Sequence, residues 1–370
     1  MSEGVKPLPR LEEVRDRIDQ VDQRLLELLS ERARLAHTVG EIKRAEEGEG
    51  SVIQFYRPER EAQVLRRVQG LNQGPLDDAS IAWLFREIMS ACLALEQPTR
   101  VAYLGPAGTF SQMAALRQFG HAAELVPCNS IPEVFRAVVS GNAAYGVAPV
   151  ENSTEGGVAQ TQEALLAHDL SICGEVALRI HHQLLSRSES LAEVRRVYGH
   201  AQSLGQCRRW LDEHLPLAER VPVSSNGEGA RLAAGEDGAA AIAPEVAADL
   251  YRLAILAANI EDEAHNTTRF VVLGENDAGP SGEDKTSLAV STANQPGALY
   301  RLLKPLAERG ISLTRIESRP VRARAWEYLF FIDLEGHRAD PKVAEALHEL
   351  EGHAAWLRVF GSYPKAVLKA

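Results

Sequence analysis

Asn266-Thr267-Thr268-Arg269-Phe270 runs without a break into the apolar Val271-Val272-Leu273. An amide, two hydroxyls and a guanidinium precede a short run of β-formers, the composition of a strand that begins at a rim. Such a strand holds Thr268 rigidly while Arg269 supplies positive charge. Taken alone, the stretch reads as a capped strand start with a solvated arginine. Its surroundings decide whether that plain reading stands.

Outward from this stretch, toward the N-terminus, strand and helix patterns alternate from Arg100 onward. Val101–Leu104 is a short apolar strand entering Gly105-Pro106-Ala107-Gly108-Thr109-Phe110-Ser111, with a helix expected over Gln112–Phe119. A glycine-rich turn into a helix N-terminus is an anion site. No Gly-Lys-Ser/Thr follows, so it is not a Walker loop. Ser130 and Glu133 form a capping box for a helix reaching Val139. A strand at Ala144–Val150 then delivers Glu151-Asn152-Ser153-Thr154-Glu155-Gly156-Gly157 just before a helix at Val158–His168. Two polar loops that leave strands at helix starts describe one lobe of an α/β cleft protein.

Glu175–Leu185 reads as a crossing strand into a second lobe. That lobe is marked by Val197-Tyr198 running into Gly199-His200-Ala201-Gln202-Ser203, by Gln206, and by Ser224-Ser225-Asn226. Ile260-Glu261-Asp262 leads back to Asn266. Lobe 1 is expected over about 101–175 and 266–278 and lobe 2 over about 176–265, with a ligand between them. On a strand, His181 and His182 would point to opposite faces, which makes them a poor metal clamp.

The chain of 370 residues is too long for one ordinary core. A net charge of −11 argues against nucleic acid as a partner, because phosphate binding needs surplus Lys and Arg. No long uncharged apolar run implies a membrane span, and the first residues lack a signal-peptide pattern, so a cytoplasmic setting is expected. Cys92, Cys128, Cys173 and Cys207 are widely spaced, as isolated buried thiols are. No metal and no cofactor are expected.

Ahead of the alternating region, Pro9–Arg44 reads as one long helix. Leu11, Val14, Ile18, Val21, Leu25 and Leu28, then Leu35, Val39 and Ile42, make a heptad stripe. Arg32 occupies the stripe itself, and Arg15 and Lys43 sit one residue after stripe positions. A buried unpaired guanidinium costs several kcal/mol, so Arg32 must meet an anion: a neighbouring glutamate or a bound ligand. Pro58-Glu59-Arg60-Glu61 opens a second helix, and a third runs from about Asp78 to Glu96, which lies beside its seam. Three helices, one very long, cannot bury such a stripe alone, so an intertwined homodimer is expected.

This helical region, 1–98, resembles the chorismate mutase family over its whole length. The resemblance implies that Arg15, Arg32, Lys43, Arg60, Glu61 and Glu96 hold chorismate for a pericyclic rearrangement to prephenate, with Lys43 and Glu96 as the catalytic contacts. Glu96 stands where many members have Gln. A carboxylic acid donates a hydrogen bond to an ether oxygen and a carboxylate does not, so Glu96 is expected to work protonated.

Region 99–278 is similar to the prephenate dehydratase family through GPAGTFS, PVENSTEG, YGHAQSLGQC and NTTRFVVL, in that order. The resemblance implies a two-lobed fold like that of periplasmic binding proteins, with Thr268 as the catalytic hydroxyl. Ser111, Glu151, Asn152, Gln206 and Arg269 would line the cleft. Gly199 stands where related enzymes often carry Ser.

After the linker-like Ala278–Asp284, region 285–370 reads as β-α-β-β-α-β, the ferredoxin-like layout. Through NQPGAL and IESRP it resembles the ACT regulatory family. That implies a phenylalanine site at Asn294, Gly297, Ala298, Leu299, Glu317 and Ser318.

The multidomain chain is thus expected to bind chorismate, prephenate and phenylalanine as a homodimer or higher homo-oligomer, with neither nucleic acid nor membrane as partner. One alternative is a non-catalytic amino-acid sensor or solute-binding protein on the same two-lobed fold. Another is an enzyme with only one of the two sites active.

Overall fold

The computed structural model describes residues 9–47, 56–292, 295–320 and 328–368. Its first unit is helical: α1 (Leu11–Glu47), α2 (Pro58–Leu71) and α3 (Asp78–Glu96). Pro58 stands in the first turn of α2, and Asp77 caps α3 by accepting the Ser80 N–H at 2.7 Å. α1 packs chiefly on α3, and its apolar stripe stays open. Ile18, Val21, Leu25 and Leu28 are each 50–60% exposed, where core positions would be near zero.

Lobe 1 comprises β1 (Arg100–Leu104), α4 (Phe110–Phe119), β2 (Glu124–Cys128), α5 (Ile131–Val139), β3 (Tyr145–Asn152), the two-residue β4 (Gly156–Gly157), α6 (Ala159–Ala167) and β5 (Ser171–Arg179). Lobe 2 comprises β6 (Gln183–Ser186), β7 (Arg196–His200), α7 (Ala201–Gln206), α8 (Arg208–His214), β8 (Glu219–Val223), α9 (Asn226–Ala233), β9 (Ala239–Ala243), α10 (Val246–Tyr251) and β10 (Ala254–Ala257). β11 (Thr267–Gly274) then returns to lobe 1. The two sheets run β2-β1-β3-β11-β5 and β10-β6-β9-β7-β8.

The expected single crossing strand at 175–185 is in fact two strands in different sheets, broken at Ile180–His182. Lobe 1 therefore extends to Arg179. The two crossings are tied to each other by backbone bonds, Ile180 N–H to Asn266 O and Ile260 N–H to His182 O, at 2.9 and 2.8 Å. His181 and His182 lie in this break rather than on a strand.

The last unit holds β12 (Asp284–Ser291), α11 (Ala298–Glu308), β13 (Leu313–Pro320), β14 (Tyr328–Glu335), α12 (Pro341–His353) and β15 (Trp356–Pro364). Its antiparallel sheet, ordered β13-β14-β12-β15, is the expected ferredoxin-like arrangement. Strand alternation gives this sheet two buried faces. Leu288, Val290, Ile332 and Leu334 pack beneath α11 and α12. Ala289, Phe331 and Phe360 pack with Phe135, Ile172 and Val271 of lobe 1 in one continuous core. Each fully buried Phe contributes about 1.5–3 kcal/mol, so this docking is substantial.

Ala278–Asp284, read from composition as a linker, is fixed in place. Ala278 is buried and its carbonyl contacts His337 Nε2 at 3.0 Å, while Arg66 of α2 donates to Glu283 O at 2.9 Å. Among the described residues, no helix is long and apolar enough to cross a membrane.

Candidate active sites

Between the two lobes lies a cavity of about 270 Å³, lined by Thr268, Asn152, Ser111, Gln206, His182 and the start of α9. Thr268 on β11 and Asn152 on β3 are partners in register, which brings their side chains together across the ladder. Asn152 Nδ2 donates to Thr268 Oγ1 at 2.9 Å and to Asn266 Oδ1 at 2.8 Å.

The direction of these bonds is set by the backbone. Asn152 Oδ1 accepts the N–H groups of Thr154 and Glu155 at 3.0 and 3.2 Å, so the other end of that amide must be the donor. Asn266 therefore presents its oxygen to Asn152 and its Nδ2 to Gln206 Oε1 at 3.1 Å. Gln206 Oε1 also lies 2.9 Å from His182 Nε2, which must then carry the proton. A one-way relay runs from the Thr154–Glu155 backbone through Asn152 and Asn266 to Gln206, where the His182 N–H arrives from the other side. Thr268 accepts from this relay, which leaves its own O–H free to donate into the cavity.

His182 is a site residue that sequence reading passed over. It is buried, its ring meets Phe110 edge-on at 5.4 Å, and its Nδ1 is buried without a partner. Burial pushes its pKa below the ordinary histidine value, against the pull of the Gln206 bond and of Glu261, so the ring is held neutral.

Ser111 lies on α4, whose first turn is capped by Thr109, and α9 is capped by Ser225 accepting the Glu228 N–H at 3.1 Å. Both helix starts reach the cavity with their partial positive charge. Among the described residues, those lining it include no Arg or Lys. Arg209 stands at an adjoining hollow shared with Gln206 and Asn266.

Two of the expected cleft residues are elsewhere. Arg269 and Glu151 occupy the next rung of the same ladder, and neighbours along a strand point to opposite faces. Arg269 Nε donates to Glu151 Oε2 at 3.2 Å on the far side of the sheet. Its other nitrogens reach Glu175 at 3.4 Å, Tyr363 at 3.5 Å, and Asp333 of the C-terminal sheet. Burial alone would lower the Arg269 pKa. Asp333 above all, then Tyr363, Glu175 and Glu151, outweigh it and hold the guanidinium charged.

A second cavity, of about 310 Å³, is walled by the helical unit and by the end of α4. Arg32, Lys43, Arg60, Glu61 and Glu96 all line it, and Arg57 lies beside them. Four cationic side chains and the two carboxylates of Glu61 and Glu96 line one hollow, which favours an anion there. Gly40 lets α1 approach Glu96 closely: a Cβ there would sit 3.3 Å from Glu96 Cγ. Desolvation raises the Glu96 pKa, and the nearby Lys43, Arg44, Arg32 and His37 only partly offset that rise. Glu61 is also raised by burial, and its carboxylate receives Arg86 Nε at 2.9 Å. Arg15 is absent from the cavity. It stands seventeen positions before Arg32 on the same helix, about 25 Å at 1.5 Å per residue.

Sequence reading also missed the contribution of lobe 1 to this wall. Phe119, Ala122 and Ala123 line it, and Gln118 Nε2 donates to Tyr56 OH at 2.7 Å.

In the C-terminal unit, Gly297 precedes α11 with φ +76°, the left-handed region that favours glycine. Ala298 is buried and Leu299 partly exposed beside it. Ser318 is next to Glu317 on β13, but the two point to opposite faces. Glu317, expected in the phenylalanine site, faces lobe 1, where Gln162 Nε2 donates to it at 2.7 Å and Arg315 and Arg319 pair with it. Asn294 lies outside the described residues.

Three family models match the chain: chorismate mutase type II over residues 14–97, prephenate dehydratase over 101–278 and the ACT domain over 286–352. Over 97% of its length the chain is 54% identical to a bifunctional chorismate mutase/prephenate dehydratase of Stutzerimonas stutzeri, covering 99% of that protein. It is 43% identical to the bifunctional chorismate mutase/prephenate dehydratase of Aquifex aeolicus, over 98% of this chain and 100% of that one. A solved prephenate dehydratase from Arthrobacter aurescens in complex with L-Phe matches at TM-score 0.67 and 36% identity, over 72% of this chain and 91% of that one.

Proposed function

This chain belongs to the bifunctional chorismate mutase/prephenate dehydratase family, and on that premise we propose how its residues carry the two reactions and their control. The helical unit converts chorismate to prephenate, and the two-lobed unit converts prephenate to phenylpyruvate, carbon dioxide and water. The ACT domain fits feedback control by phenylalanine.

In the mutase cavity the rearrangement needs no nucleophile. Arg32, Lys43 and Arg60 hold the two carboxylates in the folded conformer, and protonated Glu96 donates to the ether oxygen as its bond breaks. The raised pKa of Glu96 supports that protonation state. Arg15, too distant within its own chain, reaches the cavity of a second copy. The exposed stripe of α1 supports this, because two such helices bury each other's apolar seam in a homodimer.

In the dehydratase cleft, loss of carbon dioxide pushes an electron pair into the ring, which aromatises by expelling hydroxide, and solvent supplies the proton that turns it into water. A threonine hydroxyl is too weakly acidic to surrender its proton outright. Thr268 therefore donates a hydrogen bond to the departing oxygen and stabilises its developing charge. The observation that carries this role is the fixed direction of the Asn152 amide, which spends a lone pair of Thr268 and leaves its O–H unspent. The starts of α4 and α9 hold the substrate carboxylates in place of Arg269. Phenylalanine binds near Gly297 and Ala298, with its carboxylate on the backbone amides that open α11. Four buried free cysteines suit a reducing compartment, and we place the enzyme in the cytoplasm.

A chorismate time course following prephenate and phenylpyruvate separately, with and without phenylalanine, tests the whole. Both products are expected in sequence, with the second suppressed by phenylalanine. Untouched chorismate defeats the mutase assignment. Prephenate accumulating without phenylpyruvate, with no phenylalanine present, defeats the dehydratase assignment.

A further inference from the structure

We propose that Arg269 and Glu151 are positioning residues for the dehydratase pair Thr268–Asn152, and that Asp333 of the ACT sheet is the handle through which the regulatory domain sets that pair. The handle rests on the reading that the ACT domain binds phenylalanine.

The argument is one of register. Thr268 faces Asn152 on one rung of the β11–β3 ladder, and Arg269 faces Glu151 on the next, followed by a bulge before Phe270. The first rung turns into the substrate cavity. The second turns to the opposite face of the sheet, against the ACT domain. Both members of the Thr268–Asn152 pair are thus one peptide unit away from a residue held by a different domain. Bulges re-aim side chains, and this one lies directly beside the pair.

What holds the second rung is shared between domains and largely dry, although the Glu151 side chain is 36% exposed. The side chains of Arg269, Glu175, Asp333 and Arg315 are 13, 5, 6 and 7% exposed. Arg269 spans Glu151 and Glu175 of lobe 1 and Asp333 of β14. Asp333 is itself held by Ser287 Oγ, which also contacts Tyr363 OH at 2.7 Å. Glu151 is approached by Arg315 of β13 at 3.8 Å. Arg315 also pairs with Glu317, which reaches Gln162 on α6, the helix that follows the Asn152 loop. Guanidinium–carboxylate geometry is directional, so displacement of the ACT sheet by a ligand cannot leave this rung undisturbed. Coupling between sites needs such a contiguous element that both sites bias.

Asp333→Asn tests the handle. It keeps size and an acceptor for Ser287 but removes the charge that binds Arg269. Phenylalanine affinity is measured by equilibrium dialysis, dehydratase kcat and KM with prephenate, and mutase activity as the internal control. The expected result is unchanged phenylalanine affinity, inhibition at saturating phenylalanine reduced about tenfold or more, and kcat lowered about fivefold or more at unchanged KM. Mutase turnover stays at the wild-type level. A variant that binds phenylalanine, is inhibited by it and turns over as the wild type does overturns the proposal.

If Asp333→Asn does not fold, Arg269→Lys keeps a positive charge but cannot fork across three carboxylates. It is expected to uncouple in the same way, and wild-type kcat and inhibition in that variant overturn the proposal equally. A wild type that fails to bind phenylalanine removes the ligand reading and the handle together, a failure that the dialysis arm distinguishes from failure of coupling alone.

Discussion

Replacing Thr268 by valine removes one hydroxyl and leaves the β-branched shape on β11 unaltered. Asn152 Nδ2 loses one of its two acceptors but retains Asn266 Oδ1 at 2.8 Å, so the relay keeps its direction. The ground-state loss is one hydrogen bond, about 0.5–1.5 kcal/mol. A donor aimed at charge that develops only in the transition state is worth more, about 100- to 1,000-fold in turnover, or roughly 3–4 kcal/mol. The larger effect should dominate, and it should fall on kcat because the interaction strengthens as the carbon–oxygen bond breaks. The assay is phenylpyruvate formation from prephenate, with chorismate-to-prephenate turnover in the same preparation as the folding control. Thr268→Ser should restore most of the activity. A valine variant within about threefold of wild-type kcat would show that the hydroxyl does not act on the leaving group.

Mutase activity should fall as pH rises through the Glu96 pKa, which lies above the ordinary glutamate value, because only the protonated acid donates. Glu96→Gln donates at every pH, so its pH–rate profile should lose that limb; a profile unchanged by the substitution would refute the role. For His182 the folded chain resists protonation, so the unfolded state binds more protons once pH drops below about 6.5, and stability falls with it. His182→Gln keeps an N–H for Gln206 and cannot titrate. Its melting temperature should therefore decline less than that of the wild type between pH 7 and 5, and parallel curves would discount the buried neutral ring. Leu25→Glu puts a carboxylate into the proposed seam between two α1 helices, where an unpaired buried charge costs several kcal/mol. Light scattering should report dissociation, with mutase activity lost and dehydratase activity retained; an intact dimer with full mutase turnover would sink the seam.

Local patterns were legible where the chemistry is local. The heptad stripe of α1, the proline opening α2 and the Ser130–Glu133 cap all declare themselves within a few residues, and the structure has each of them. The pairing of Thr268 with Asn152 was legible as two polar loops facing one cleft. Arg269 and Glu151 were misplaced although the period of a strand already forbids neighbours from sharing a face. A positive charge beside a catalytic hydroxyl invited a substrate role, and the carboxylates that claim it, Glu175 and Asp333, are far away in sequence. Glu317 was misplaced for the same reason, since its partner Gln162 lies in another domain. His182 was set aside as a failed metal ligand. Its value arises from a break between two sheets and from three amides whose orientation only the folded backbone determines.

The separation of Arg15 from Arg32 along one rigid helix bears on the genetics of the enzyme. If each mutase cavity draws Arg15 from one chain and Arg32 from the other, either substitution alone inactivates both cavities of a dimer. Co-expressed chains, one carrying Arg15→Ala and the other Arg32→Ala, sort differently. In the mixed dimer one cavity collects both lesions and the other collects neither. Two null alleles would then complement each other at the level of the protein, restoring one working cavity in every mixed pair.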